Sequence, residues 1–119
     1  MIDIIIPFCP PKKNNRITNR KTGKTFPSKR YQEWHKIASE AISDHIPTNP
    51  IESTIEVKMI FKWPDKRRRD MTNFAESIMD LIVDNKMLVD DNWYVCGYIT
   101  LISGEIDRVN PHIRLMISY

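Results

Sequence analysis

The chain has only two cysteines, Cys9 and Cys96, and they stand far apart. That spacing provides none of the closely paired thiols of a zinc ribbon or finger, so both read as buried thiols in or near strands. The three histidines, His35, His45 and His112, fall in no ligand-like pattern either and suggest surface or packing positions. No apolar run approaches the roughly 20 residues that a membrane helix requires, so no membrane partner is expected. Internal repeats, low-complexity tracts and linkers are absent as well. The opening Met1-Ile2-Asp3-Ile4-Ile5-Ile6-Pro7 places an acid within a short apolar stretch. It reads as a strand and not as a secretory leader, which makes the cytoplasm the expected address.

With 119 residues, 41% of them hydrophobic and 28% charged, the sequence fits one soluble domain spanning 1–119. So small a domain buries a limited fraction of its surface, and a second copy would add stability. The net charge of +3 hides a lopsided distribution. Residues 1–69 hold 15 Lys and Arg against 7 Asp and Glu, whereas residues 70–119 hold 3 against 8. A basic surface beside a set of carboxylates is the pattern of a protein that both binds a polyanion and does chemistry on it. A small RNA-binding protein would use the basic half and leave the acidic half unexplained.

Residues 2–8 read as a buried strand stopped by Pro10-Pro11. Residues 12–27 are basic and turn-rich, a loop or hairpin turning near Thr22-Gly23. Ser28 is a good N-cap for an amphipathic helix reaching about His45, with Tyr31, Trp34, Ala38, Ala41 and Ile42 on its apolar face. Residues 54–63 alternate as a half-buried strand through Ile55, Val57, Met59, Phe61 and Trp63. A charged loop, Lys66-Arg67-Arg68-Arg69, follows, then a second helix over about 71–83 with Phe74, Ile78, Leu81 and Ile82 as its core stripe. Residues 93–102 and 112–118 predict two more strands. The order β–loop–α–β–α–β–β implies an α/β (α+β) domain, a mixed sheet with two main helices packed on it.

Three pieces of this sequence carry chemistry. They are the basic run ending at Asp70, the polar stripe of the second helix, and Asp90-Asp91 beyond it. Lys66 to Asn73, Asp80-Leu81 and Leu88-Val89-Asp90-Asp91 together resemble the signature of the RusA-type Holliday-junction resolvases, and Pro10-Pro11-Lys12-Lys13-Asn14-Asn15-Arg16 is similar to that family's N-terminal motif. The resemblance spans almost the whole chain. It implies a metal-dependent endodeoxyribonuclease that resolves four-way junctions by paired symmetrical nicks, working as an intertwined homodimer with no small-molecule cofactor. It further implies that the chain doubles back to bring Asp90-Asp91 to Asp70. Asp70, Asp91 and Asp90 are then the expected ligands of Mg²⁺ (or Mn²⁺), because this hard cation is held by one or two carboxylates plus waters and phosphate oxygens. The expected DNA contacts are Lys12, Lys13, Asn15, Arg16, Lys66, Arg67, Arg68, Arg69 and Asn73, with Arg20, Lys21 and Lys24 adding to the basic surround.

The chain departs from the family pattern at two positions. Thr72 stands where the family has its second aspartate, and Glu76 where it has a lysine. Positions 72 and 76 share a helix face, so Glu76, with Asp80 one turn on, is a candidate replacement ligand. The departures also leave open a weakened or inactive DNA-binding protein on the same scaffold. Structural readings stand beside each functional one. Asp70 is good N-cap chemistry, Asn73-Phe74-Ala75-Glu76 resembles a capping box, Asp80 can bond a nearby backbone or basic group, and Asp90-Asp91-Asn92 suits a turn. Trp34 and Trp63 are most simply core aromatics, and Trp93 and Tyr94, next to the acid pair, read as packing aromatics with DNA contact as the alternative.

Overall fold

Strict alternation of apolar residues makes the strands, and a helical period makes the two helices. The computed structural model describes residues 1–12, 16–90, 92 and 94–119. Strand β1 (Ile2–Pro7) buries Ile2, Ile4 and Ile6; β4 (Ile55–Lys62) buries Ile55, Val57, Met59 and Phe61; β6 (His112–Ser118) buries Ile113, Leu115 and Ile117. These alternate residues all point to one face. Helices α1 (Lys29–Ile42) and α2 (Met71–Asp84) cover it and share a single core with it. The core residues of α1 are Tyr31, Trp34, Ala38 and Ile42, and those of α2 include Phe74, Ile78, Leu81 and Ile82.

The sheet runs in the order β1-β6-β4-β5, with β5 (Cys96–Ser103) parallel to β4 and the other pairs antiparallel. It is therefore the expected mixed sheet. The parallel pair needs a crossover, and α2 supplies it, so β4–α2–β5 is one βαβ unit. At the start of β5 the register slips between Ile55 and Glu56, leaving Gly97 as the extra residue. A Cβ at Gly97 would lie 2.8 Å from the Thr54 Cγ2, so this bulge has no room for a side chain.

The basic segment expected as a loop or hairpin is a short hairpin, with β2 (Arg16–Thr18) antiparallel to β3 (Thr25–Pro27). Gly23 lies within its connection at φ 70, a backbone position that glycine adopts at no steric cost. The first helix ends sooner than its pattern implies. It stops at Ile42, and Ser43–His45 tightens into one 3₁₀ turn. Ser28 caps it as predicted, accepting from the Tyr31 N–H at 3.2 Å. The strand predicted from residue 93 begins at Cys96, because Asn92 arrests the chain in a turn: its side chain and carbonyl accept from the amides of Val95 and Cys96.

Candidate active site and nucleic-acid cleft

Strand β4 ends at Lys62, and the next eight residues form the basic loop that leads into α2. Asp65 organises this loop. Its carboxylate accepts from the Arg67 N–H at 3.0 Å and pairs with the Arg69 guanidinium at 2.8 Å. These bonds hold the Asp65 carboxyl below the usual range, the Arg67 amide contributing most. Arg69 also donates to the carbonyls of Asp65 and Arg67, and its guanidinium lies 4.5 Å over the ring of Trp63. Trp63 in turn stacks on Phe61 and meets Phe74 edge-on. Of the four cations in the run, Arg69 is therefore committed to the loop, its side chain only 16% exposed, while Lys66, Arg67 and Arg68 face solvent.

This loop faces the start of the N-terminal motif across a cleft of about 750 Å³. Phe8, Pro10, Pro11 and Lys12 form one wall, and Arg67, Arg68 and Arg69 the other. Arg30 and Glu33 from α1 sit at the rim, with Trp34, Trp63 and Phe74 beneath. The fold thus joins two basic segments more than fifty residues apart, producing a cationic groove with an aromatic floor. Cys9 lies in the same wall. Burial pushes its thiol up to about 12, although Arg69 nearby acts in the opposite sense, so the thiol is protonated and inert at neutral pH. Sequence reasoning does not reach Arg30 or Phe8. Arg30, two residues past the Ser28 cap, offers a weak signal in sequence, and Phe8 offers only an aromatic before Cys9-Pro10-Pro11.

Asp70 ends the basic loop as the N-cap of α2. One of its carboxylate oxygens accepts both the Thr72 N–H at 3.2 Å and the Thr72 hydroxyl at 2.7 Å. The residue that replaces the family's second aspartate is thus the one that fixes the first. With the cap at Asp70, Asn73 becomes N3 and Glu76 the sixth helical residue. This overturns the capping-box reading of Asn73 and Glu76, because the helix has already begun two residues before Asn73. Glu76 is exposed and Asp80 half-buried, one turn apart along the stripe that starts at Thr72. Glu76 stands roughly 9 Å along the axis from Asp70.

Asp90 lies elsewhere. The segment after α2 is tied to the opposite end of β4: Ile51 pairs with Leu88, the Thr54 hydroxyl donates to the Tyr94 carbonyl, and the Ile55 N–H to the Val95 carbonyl. Asn92 donates its side-chain amide to the Asp90 carboxylate at 3.1 Å. Asp70 ends the loop that leaves the far end of β4, and Asp90 lies in the segment tied to the start of β4, so the two acids occupy opposite ends of the crossover. A 14-residue helix, about 20 Å long, separates them. Within one chain, no doubling back brings Asp90 to Asp70. Among the described residues no three His, Cys, Asp or Glu side chains gather as a metal site. Asp91, Lys13 and Asn15 lie outside the described residues, as do the side-chain surroundings of Arg16.

Residues 7–118 match the family model for the endodeoxyribonuclease RusA. The chain belongs to the RusA endodeoxyribonuclease family. It is also similar to the crossover junction endodeoxyribonuclease RusA of Aquifex aeolicus (strain VF5), with 26% identity over 91 residues, 76% of this chain and 72% of that one. The family match runs from the end of β1 through β6. It therefore takes in both walls of the cleft and both ends of the crossover.

Proposed function

We infer that this protein is a divalent-metal-dependent resolvase of four-way DNA junctions, acting as a two-fold homodimer whose active sites are each completed by the partner copy. The observation that carries the composite site is the separation of Asp70 from Asp90 along α2 in a single chain. A family built on carboxylates from both places needs a second chain to unite them. In this reading Asp70 of one copy meets Asp90 and Asp91 of the other, with Glu76 and Asp80 the nearest further acids on the helix. A cation held there, Mg²⁺ or Mn²⁺, would neutralise charge on the scissile phosphate and activate a water. The residues' own work is to hold the carboxylates: Thr72 orients Asp70, and Asn92 orients Asp90. The cleft cations Lys12, Arg30, Arg67 and Arg68, with the neighbouring Lys66, bind the DNA backbone and offset the acids' repulsion of it.

The uncovered face of the sheet supports a second copy. Among the described residues the helices cover one face. The other carries Ile5, Arg114, Ile60 and Ile102 in one register row, Arg114 paired with Asp3, and Met116 and the exposed Tyr98 beside it. Strand β5 is also an edge with open hydrogen-bonding positions, a feature that proteins usually cover. A C2 interface uses the same patch twice and matches the near two-fold symmetry of a four-way junction.

Mixing variants tests the composite site. Asp70→Asn and Asp91→Asn homodimers should each fail to cut a junction. A mixed Asp70→Asn/Asp91→Asn dimer keeps one intact site if the acids come from different copies, and should nick one strand. If each copy carries its own site, the mixture stays inactive. One observation favours a second reading: the Thr72 hydroxyl already occupies Asp70, and the family's second acid is missing. A wild type that binds junctions but cuts them with neither Mg²⁺ nor Mn²⁺ would make this a structure-selective DNA-binding protein.

A further inference from the structure

We propose that Phe8 is a stacking platform for an unpaired DNA base at the branch point, making the aromatic cleft a reader of strand opening as well as a binder of phosphates. This rests on the nucleic-acid reading above and specifies what the cleft recognises. Phe8 has φ 64, in the left-handed region where a bulky residue is an outlier and glycine would be the ordinary choice. The surroundings hold it there from both sides. Its N–H donates to the Pro111 carbonyl at 3.0 Å, and its carbonyl accepts from the Trp34 indole N–H at 3.1 Å. Burial does not account for the ring, which is 55% exposed. Neither backbone preference nor core packing therefore explains a phenylalanine here, and strain of this kind clusters at ligand sites.

The setting points to the ligand. The ring stands at the cleft with Lys12, Arg30, Arg67 and Arg68, against one acid, Glu33. An aromatic face among cations matches a single nucleotide: base on ring, phosphate on the guanidinium and ammonium groups. Trp63 cannot serve the same purpose, since Phe61 stacks on it and Arg69 lies over its ring. Duplex bases are already stacked on their neighbours, whereas a base displaced at a branch point is inexpensive to capture. Phe8 should therefore favour branched or single-stranded DNA over duplex.

Phe8→Gly removes the ring and suits the local backbone, and Phe8→Trp keeps an aromatic face. Binding is measured in EDTA to a four-way junction with 2-aminopurine at the branch point, to a short oligothymidylate, and to linear duplex. Phe8→Gly should weaken binding to the junction and the oligothymidylate by about 5- to 150-fold, the range of one base–aromatic stack. Duplex affinity should stay within about twofold, and the 2-aminopurine signal seen with wild type should vanish. Phe8→Trp should restore both. Equal losses on all three DNAs, or no loss on any, would overturn the proposal. So would a dimer that dissociates in Phe8→Gly while DNA affinity holds, which would make the ring a contact between copies. Should the wild type not prefer the junction to duplex, the resolvase reading fails on its own, and the oligothymidylate still decides the role of Phe8.

Discussion

The two ends of the β4–α2–β5 crossover differ sharply in charge. At the end where β4 meets α2, Lys12, Arg30, Arg67 and Arg68 line an open cleft, and a single acid, Asp65, organises the loop that carries Arg67 and Arg68. At the other end, Asp84 closes α2 and pairs with His35, and beyond it Asn92 bonds Asp90, with Lys86 the only cation of residues 84–95. The first end is rich in cations and the second in acids. Under the composite-site proposal, binding and chemistry are divided between these ends, and Asp70 stands where they meet. A dimer that sets one copy's acidic end against the other's Asp70 reunites them.

The largest effects should come from the acids. Asp70→Asn should reduce junction cleavage by at least about a hundredfold, since loss of a metal-held charge costs several kcal/mol. Asparagine caps a helix as well as aspartate does, so the melting temperature and junction affinity should hold. A drop in melting temperature alongside retained cutting would reduce Asp70 to a cap. Glu76→Gln sharpens the same division. Glu76 has no part in capping α2, so lost cutting with an unchanged melting curve would make it a ligand, and retained cutting would remove it from the site.

At the basic end the expectation is a change in salt dependence. Replacing Lys66, Arg67 and Arg68 by alanine together should flatten log affinity against log salt by up to about 0.9 for each phosphate no longer neutralised. The weakening should be alike for junctions of any sequence, because phosphates carry no base identity. An unchanged slope, measured by fluorescence anisotropy from low to moderate salt, would separate this loop from DNA. Arg69→Ala should behave differently. Its guanidinium braces Trp63 and Asp65, so the melting temperature should fall by a few degrees, the order expected of a cation–π interaction worth about 1 kcal/mol. The salt slope should hardly move.

The smallest effect concerns Cys9, which tests whether the cleft's cations can ionise a neighbour. With its thiol pushed up to about 12 by burial, Cys9 is protonated at pH 8. Iodoacetamide should label it far more slowly in the folded protein than in urea, as read by mass spectrometry. The raised value also means that the fold gains no stability from an ionised Cys9 at neutral pH. Stability should decline only in strongly alkaline solution, where the unfolded chain ionises its thiol first. Rapid labelling of the native protein would mean that the arginines outweigh burial.

Much of this protein is legible in its sequence because the decisive patterns are local. Alternation through Ile55, Val57, Met59 and Phe61 requires a strand with one buried face, and Ser28 or Asp70 can cap a helix whatever packs on it. The spacing of the basic run and the acids likewise carries the family. Tertiary structure alone decided the rest. A capping box at Asn73 and a cap at Asp70 are both sound local chemistry, and the basic loop's docking on Trp63 selects the second. Arg69 reads like its neighbours until an indole ring claims it. Phe8 looks like the end of a strand until Pro111 and Trp34 fix its backbone and turn it out. The acids stand apart for a topological reason: a parallel strand pair forces α2 to carry the chain back along β4, which sets Asp70 and Asp90 a helix length from each other.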